Sequence, residues 1–197
     1  MKKGFRTLDL TLVGMFAALM AVGANITSWA PFLEVAGVPL SMQPFFCILA
    51  GLLLGSRLGA LSMFVYALVG IAGAPVFAQF SGGIGVIFGS TGGFIISYIA
   101  TAYVVGKLVE LKKQPNLVTF FTASFVGIAL IYLIGTTYMW LALNVWLGTP
   151  MSYSAAWIVM AWFMVKDVIF TVAGATIAPR IYSAVQKATG LGRPKAA

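Results

Sequence analysis

The sequence predicts an all-α polytopic membrane protein with six transmembrane helices. Hydrophobic residues make up 61% of the chain and charged residues only 8%, whereas soluble domains carry roughly 25% charged residues. Apolar stretches of about 20 residues recur along the chain, and each is long enough to cross a hydrocarbon core of ~30 Å. Because a bilayer offers no water to unpaired peptide groups, such spans are expected to be helical.

The six spans form a single integral-membrane domain. They are predicted at about residues 8–29, 42–54, 60–71, 93–109, 117–143 and 155–178. A tight turn from Gly55 to Gly59 separates the second span from the third, and a polar segment around Pro115 precedes the fifth. A glycine-rich outer loop region covers residues 72–92, and a basic cytoplasmic tail covers residues 180–197.

The basic residues predict the orientation of the chain. With six spans, both termini and the loops after the second and fourth spans lie on one side of the membrane, and the remaining loops carry no lysine or arginine. The basic side holds Lys2, Lys3, Arg6, Arg57, Lys107, Lys112, Lys113, Arg180, Lys187, Arg193 and Lys195. Since positive loops remain inside, both termini are expected to be cytoplasmic. The net charge of +8 therefore reports topology and attraction to lipid rather than nucleic-acid binding.

The segment from Ala74 to Tyr98 is the first candidate for a ligand site. Eight of the 22 glycines fall between Gly70 and Gly93, and irregular backbone at membrane depth is tolerated only where it is buried in protein or lines a cavity. We expect this segment to build the floor and wall of the site. Its candidate binding residues are Gln79, Gly82, Gly83, Ser90, Thr91 and Tyr98.

Lys166 and Asp167 lie inside the sixth predicted span. Each charge at mid-span costs about 2.5–3.5 kcal/mol on insertion scales, so an intramembrane pair is a functional hypothesis by default. Neighbouring helical residues point ~100° apart, and the two side chains need not bond each other. Either both line one polar cavity, or Lys166 extends toward the interface while Asp167 points inward; an ion pair that only fixes helix packing is the alternative.

Three further residues are weaker candidates. Gln43 begins the second span and Asn144 ends the fifth, so that both, like Gln79, are also compatible with ordinary caps or loop residues. For Gln79 and Asn144, the outward placement that they share with the glycine-rich segment favours a binding role. Trp146 belongs to a set of aromatic residues near the outer interface, where such residues form a belt and individual members stack on ligands.

Several classes of function are excluded by missing residue types. The chain has no histidine and one cysteine, Cys47, which leaves neither a serine–histidine pair nor a histidine-containing metal site. A single intramembrane aspartate cannot form an aspartic dyad, and no P-loop motif is present to bind ATP. The sequence therefore predicts neither an enzyme nor a metalloprotein.

Small residues line one face of the first span. Gly14, Ala17, Ala18 and Ala21 follow a four-residue spacing in two rows, and such a face lets another helix approach closely. The partner helix belongs either to this chain or to a separate membrane subunit.

Residues 38–98 carry two glycine motifs in order. The first reads GIAGAPVFA at residues 70–78, and the second reads GSTGGF at residues 89–94, with a glycine pair between them. This segment resembles the BioY family, the biotin-specific substrate-binding subunits (S components) of energy-coupling factor transporters, whose patterns are G-x-x-G-x-P-V-F-A and G-P-T-G-G-Y. Ser90 and Phe94 depart from the second pattern. In the sixth span Asp167 matches the family's aspartate, whereas Phe170 replaces its lysine and Lys166 precedes the aspartate.

The resemblance implies an S-component-like fold in a prokaryotic-type plasma membrane, binding biotin from outside and holding no cofactor. It implies a transmembrane coupling subunit and a pair of cytosolic ATPases as partners, with ATP used by those partners. Ala17 and Ala21 resemble the family's A-x-x-x-A docking motif. Biotin's ureido N–H groups suit Asp167, its ureido carbonyl suits Asn144 or Gln79, and its carboxylate suits Lys166 or the amides of the glycine loop.

Three other functions stay open from the sequence. One is an S component for another vitamin, since the same fold serves different ligands. The second is an ion-coupled secondary transporter that uses Lys166 and Asp167 as a proton relay. The third is a scaffold protein in which this pair serves folding alone.

Overall fold

The chain is a bundle of long helices. A computed structural model describes residues 6–26, 34–35 and 38–190. The helices are α1 (Thr7–Asn25), α2 (Gln43–Ile71), α3 (Ile84–Phe88), α4 (Gly92–Glu110), α5 (Leu117–Val145) and α6 (Tyr153–Thr189), with a 3-10 turn at Ala78–Phe80. A two-residue strand pair, β1 (Glu34–Val35) with antiparallel β2 (Val38–Pro39), lies between α1 and α2. The predicted all-α membrane class is confirmed, because five helices within these described ranges are long and apolar enough to cross a membrane.

Helix α2 reverses direction at Gly55. This glycine has φ 81° and ψ 179°, a combination that is essentially restricted to glycine. The chain then folds back on itself, since a Cβ on Gly59 would lie 3.1 Å from the carbonyl oxygen of Ala50 and from Cα of Gly51. Residues 43–54 and 56–71 are therefore two antiparallel helical segments, and the described part of the chain contains six long helical segments. The turn is shorter than expected, because the helix resumes directly at Ser56.

Glu110, at the end of α4, supports this reversal. Its Oε1 accepts a hydrogen bond from the backbone N–H of Ser56 at 2.7 Å, and its Oε2 accepts one from the Ser56 hydroxyl at 2.8 Å. The carboxylate thus caps the segment that starts at Ser56, where first-turn N–H groups have no helical partner. Gly106 allows this approach, because a Cβ there would overlap the backbone of Ser56.

The bundle has two distinct ends. Helix α2 packs against α1, α4, α5 and α6, and α5 packs between α4 and α6. The terminal end contains the starts of α1 and α5, the reversal at Gly55, and the ends of α4 and α6; there Arg6 donates from Nη1 to the carbonyl oxygen of Thr189 at 3.1 Å. The opposite end, here the cavity end, contains the end of α1, the starts of α4 and α6, and the loop 72–91.

The basic side chains gather at the terminal end. Within the described residues, Arg6, Arg57, Lys107, Lys112, Lys113, Arg180 and Lys187 lie on the segments that meet there. The two described chain ends therefore share one end of the bundle with most of the positive charge. The segments that connect helices at the cavity end carry no lysine or arginine in the sequence, and Lys166 lies within α6.

Some element bounds differ from the expected spans. Helix α1 ends at Asn25, and residues 27–29 of the first expected span lie outside the described residues. Helix α6 passes through Pro179 and continues to Thr189, so residues 180–189 of the expected tail are helical. The C-cap is Gly190 with φ 65°, the left-handed conformation that commonly ends a helix.

The small-residue face of α1 is divided between two environments. Ala17 and Ala21 are half-buried and pack against the core, whereas Gly14 and Ala18 are exposed. Apart from the chain neighbours of Gly14 and the backbone of its own helix, no described heavy atom lies within 4 Å of a Cβ placed on Gly14. The exposed half of this face is therefore open to lipid or to another helix.

Candidate functional site

A cavity of about 290 Å³ opens within the cavity end of the bundle, near the lower limit of the ~300–1,000 Å³ usual for small-molecule pockets. Its wall comes from the start of α2, the loop 77–91, α4, α5 and α6. The lining residues are Ser41, Gln43, Pro44, Phe77, Ala78, Gln79, Ser81, Val86, Ser90, Thr91, Phe94, Ile95, Tyr98, Ile131, Tyr132, Met139, Met160, Phe163, Lys166 and Asp167.

Lys166 and Asp167 form an ion pair in this wall. The distance between Nζ of Lys166 and Oδ1 of Asp167 is 2.7 Å, and their side chains are 19% and 3% exposed. Lys166 also donates to the carbonyl oxygen of Ser41, and Asp167 accepts from the Tyr132 hydroxyl at 2.6 Å through Oδ2. Because both charged groups line one cavity and also pair with each other, the two charges compensate inside the bundle.

The Oδ1 atom of Asp167 retains capacity for a further hydrogen bond. Apart from the ion pair with Lys166, it accepts no hydrogen bond from the described residues. An ionised carboxylate accepts at about four lone-pair sites, and an acceptor buried in a cavity costs free energy until it is used. This carboxylate is therefore suited to a ligand that donates N–H or O–H groups.

Gln43 joins the cavity to a buried hydrogen-bond chain. Its Nε2 donates to the Tyr66 hydroxyl at 2.9 Å, and that hydroxyl donates to the carbonyl oxygen of Val76 at 3.1 Å. Gln43 is the first residue of α2 and precedes Pro44, which is favoured in the first turn because its missing N–H has no helical partner there. The side chain is thus fixed at the start of a helix and faces the ligand space.

The glycine-rich segment supplies part of the wall through irregular backbone. Residues 77 and 81 form an antiparallel bridge around the 3-10 turn, with the N–H of Phe77 donating to the carbonyl oxygen of Ser81 at 3.0 Å. Gly70 leaves room for this loop, because a Cβ there would overlap the ring of Phe77. The close approach of the Phe77 ring to the backbone of α2 thus explains why Gly70, the first glycine of the motif at residues 70–78, is a glycine.

Much of the remaining wall is apolar. Aromatic and aliphatic side chains from four segments surround the polar groups: Phe77, Phe94, Ile95, Ile131, Met139, Met160 and Phe163. The Phe94 and Tyr132 rings meet edge to face with centroids 6.2 Å apart. A compact ligand with one polar ring and an apolar body matches this distribution of groups.

The structure brings seven of the expected site residues together and leaves four outside. Gln43, Gln79, Ser90, Thr91, Tyr98, Lys166 and Asp167 line the cavity. Gly82 and Gly83 lie in the loop behind the wall, where a Cβ on Gly82 would overlap the carbonyl of Ala74.

Asn144 and Trp146 have partners of their own at the end of α5. Asn144 donates through Nδ2 to the carbonyl oxygens of Trp140 and Met151 at 2.8 and 3.0 Å. Trp146 donates through Nε1 to the carbonyl oxygen of Phe88 at 2.6 Å. Neither side chain is part of the cavity wall, and both tie the α5–α6 connection to its neighbours.

Sequence reasoning missed Tyr132, Tyr66 and Asn25. Tyr132 lies within an apolar stretch of α5, and its hydroxyl reaches a carboxylate 35 residues away. Tyr66 and Asn25 connect α2 and α1 to the loop that lines the cavity. The sequence could have indicated these three residues, because each is a hydrogen-bonding side chain inside an apolar run. The same feature had singled out Lys166.

Comparison with known proteins agrees with the glycine motifs. The family model described as BioY family matches residues 1–187. The chain belongs to the BioY family. The predicted membership is therefore confirmed, and it covers nearly the whole chain rather than only the glycine motifs.

Relatives of the chain come from several bacteria. The chain is 60% identical over 192 residues to BioYB of Bacillus subtilis (strain 168), covering 98% of this chain and 96% of the relative. It is 34% identical over 174 residues to the biotin transporter BioY of Thermotoga maritima, with coverages of 88% and 95%. It is 37% identical over 180 residues to the biotin transporter BioY of Rhodobacter capsulatus, with coverages of 88% and 92%.

A solved structure shares the fold. The crystal structure of the S-component for biotin from an ECF-type ABC transporter aligns with a TM-score of 0.67 at 19% identity, covering 91% of this chain and 95% of that chain. The predicted S-component-like architecture is therefore confirmed for this BioY family member.

Proposed function

We propose that this protein is the substrate-binding subunit that captures biotin for ATP-driven uptake by an energy-coupling factor transporter. The observation that carries the proposal is the Lys166–Asp167 ion pair in the wall of a cavity within a membrane bundle of the BioY family. Even a compensated ion pair is costly to bury, and Oδ1 of Asp167 retains capacity for a further hydrogen bond. A ligand with complementary polar groups gives the pair a role beyond packing.

The cavity matches biotin group by group. The ureido ring carries two N–H donors, for which the Asp167 carboxylate is the acceptor in this proposal. Gln43 and Gln79 line the same cavity and carry amide N–H groups that suit the ureido carbonyl. The thiophane ring and the valerate chain suit the wall of phenylalanine and methionine side chains. The carboxylate suits Lys166 or the start of α4 beside Ser90 and Thr91.

The partners follow from the same proposal. A coupling subunit in the membrane would dock on the small-residue face of α1, where Gly14 and Ala18 are exposed and Ala17 and Ala21 are half-buried. Two cytosolic ATPases would supply the energy, and this chain would need no cofactor of its own. Its role is then that of a binding protein rather than an enzyme.

The orientation is also part of the proposal. The terminal end, with its cluster of lysine and arginine, is placed in the cytoplasm of a prokaryotic-type cell, and the cavity end faces outward from the plasma membrane. The clustering of the described basic residues at one end of the bundle supports this orientation. Biotin would then enter from outside, close to the loop 76–80.

Calorimetric titration of the detergent-purified chain with biotin tests the proposal, with thiamine and riboflavin as controls. Heat is a better readout than fluorescence, since none of the described tryptophans lines the cavity. We expect tight, one-to-one binding of biotin alone. Binding of thiamine or riboflavin instead, or no biotin binding by a folded sample, contradicts the assignment.

A further inference from the structure

We propose that Asn25, the last residue of α1, is a positioning residue for the cavity: its side chain holds the loop 76–80 in the conformation that places Gln79 in the wall. The inference rests on the proposed function, because it concerns the affinity of the cavity for biotin. Asn25 itself does not line the cavity, so that its effect on the ligand is exerted through the loop.

The loop contains two consecutive residues in a disfavoured conformation. Gln79 has φ 58° and ψ 35°, and Phe80 has φ 52°. Residues other than glycine rarely adopt a positive φ, and they keep this backbone conformation only where surrounding contacts impose it. Gln79 lines the cavity, whereas Phe80 does not and is 48% exposed. The strained conformation thus aims one polar side chain at the ligand space.

Asn25 supplies a direct contact that favours this conformation. Its Oδ1 accepts a hydrogen bond from the backbone N–H of Phe80 at 2.7 Å. Its Nδ2 donates to the carbonyl oxygen of Ala21 at 3.0 Å and contacts that of Val76 at 3.5 Å. The side chain is 6% exposed, so these interactions form away from bulk water. One buried amide therefore holds both flanks of the loop against the end of α1.

A second contact fixes the same loop from α2. The carbonyl oxygen of Val76 also accepts from the Tyr66 hydroxyl, which accepts from Gln43 in the cavity wall. Asn25 and Tyr66 thus meet at one carbonyl group and join α1, α2 and the loop in a single network. Tyr66 bonds to the start of the loop, whereas the Asn25 side chain also reaches the strained residue Phe80.

Loss of the Asn25 amide should lower the fraction of molecules with a formed wall. Without the hydrogen bond to Asn25, Phe80 is held less firmly at positive φ, and a larger fraction of molecules relaxes to negative φ with Gln79 outside the cavity. When only a fraction of the protein is competent to bind, the apparent affinity falls by that fraction. Asn25 therefore contributes to affinity by preorganising the site, and not through contact with the ligand.

The first experiment is calorimetric biotin titration of Asn25→Leu, a variant of similar size without the amide. We expect biotin to bind about tenfold more weakly, the scale of one buried hydrogen bond. Adding Phe80→Gly should restore most of the lost affinity, because glycine adopts positive φ without steric cost. A purely structural role for Asn25 predicts no such rescue, since Phe80 is largely outside the core.

Asn116→Ala is the matched control. Asn116 also accepts a backbone N–H through Oδ1, from Thr119 at 3.0 Å, but it caps α5 at the terminal end. This variant should lower the thermal midpoint and leave biotin affinity unchanged. Wild-type affinity in a folded Asn25→Leu protein, or a loss that Phe80→Gly does not restore, overturns the positioning role.

Amide hydrogen exchange on the wild-type chain tests the same contact without a variant. The N–H of Phe80 should be protected in the free protein, because Asn25 holds it, and biotin should increase that protection. Exchange at the unprotected rate in the free protein overturns the inference even if Asn25→Leu fails to fold. Lack of biotin binding by the wild-type chain contradicts the proposed function instead, while protection of Phe80 in the free protein still supports the Asn25 contact.

Discussion

The hydroxyl of Tyr132 on α5 donates to Oδ2 of Asp167 on α6 at 2.6 Å, while Lys166 lies 2.7 Å from the other carboxylate oxygen. The two oxygens of one buried carboxylate are thus held from different sides. Tyr132 fixes the orientation of the carboxylate, and Lys166 compensates its charge. Asp167 can therefore present a preorganised acceptor to the cavity without being an isolated charge in the membrane.

Asp167→Asn should weaken biotin binding by about 1.5–3 kcal/mol, or roughly 10- to 150-fold, the scale of a hydrogen bond to a charged group. The amide retains an acceptor for Tyr132, but Lys166 loses its counter-charge, so that this variant should also be less stable than wild type. Calorimetric titration measures the change. Asp9→Asn is the control, because Asp9 is also acidic and largely buried but pairs with Arg6 at the terminal end. Equal affinity of Asp167→Asn and wild type would exclude direct contact.

The double variant Lys166→Met with Asp167→Leu separates ligand binding from helix packing. Replacing a buried ion pair by apolar residues is often neutral or stabilising, whereas removing one partner costs about 3–5 kcal/mol. We expect the double variant to unfold near the wild-type temperature yet bind no biotin, and Lys166→Met alone to be strongly destabilised. Thermal unfolding in detergent and biotin titration measure the two effects. Retained biotin binding by the double variant would assign the pair to packing.

Gly92→Ala should destabilise the protein by about 1–3 kcal/mol, the usual cost of overpacking, and weaken biotin binding. A Cβ at Gly92 would overlap the carbonyl oxygen of Ile87, so that α3 and the start of α4 would have to separate beside Ser90 and Thr91. Gly85→Ala is the matched control, because no described heavy atom outside its chain neighbours and the backbone of α3 lies within 4 Å of a Cβ placed there. Thermal midpoints measure the difference, and similar values for both variants would contradict the steric argument.

Ala17→Leu and Ala18→Leu test the small-residue face of α1. Both should reduce copurification of the coupling subunit, because a larger side chain prevents close helix approach. Ala18 is exposed, so its variant should bind biotin normally, while Ala17→Leu should also lower thermal stability through its contact with the core. Met15→Phe enlarges an exposed residue outside this face and is the control. Intact copurification with Ala18→Leu would remove its side of α1 from the interface.

Cysteine labelling in whole cells tests the orientation. Thr149→Cys lies at the cavity end and Lys112→Cys at the terminal end, and both positions are exposed. A membrane-impermeant maleimide should label the first in intact cells and the second only after permeabilisation. The native Cys47 is fully buried and should give little background. The reverse labelling pattern would invert the proposed topology.

The sequence by itself determined the class of the molecule and the positions of the glycines and charged residues that stand out in its apolar spans. Long apolar runs require helices in a membrane, because every peptide group must be paired within the chain. Glycines in such runs mark turns and close approaches, as the reversal at Gly55 and the contact between Gly70 and Phe77 show. The charges of Lys166 and Asp167 stood out against their apolar surroundings for the same reason.

Only the tertiary structure decided which polar groups share the cavity. Helical periodicity indicates the face on which a residue lies, but it does not show which residue of a distant helix meets that face at the same depth. Tyr132 is paired with Asp167, and Asn25 with Phe80, by helix packing across 35 and 55 residues of sequence. Asn144 and Trp146 are residue types that commonly bind ligands, yet both donate to carbonyl oxygens outside the cavity. Sequence does not show this, because hydrogen bonding depends on distance and direction in three dimensions.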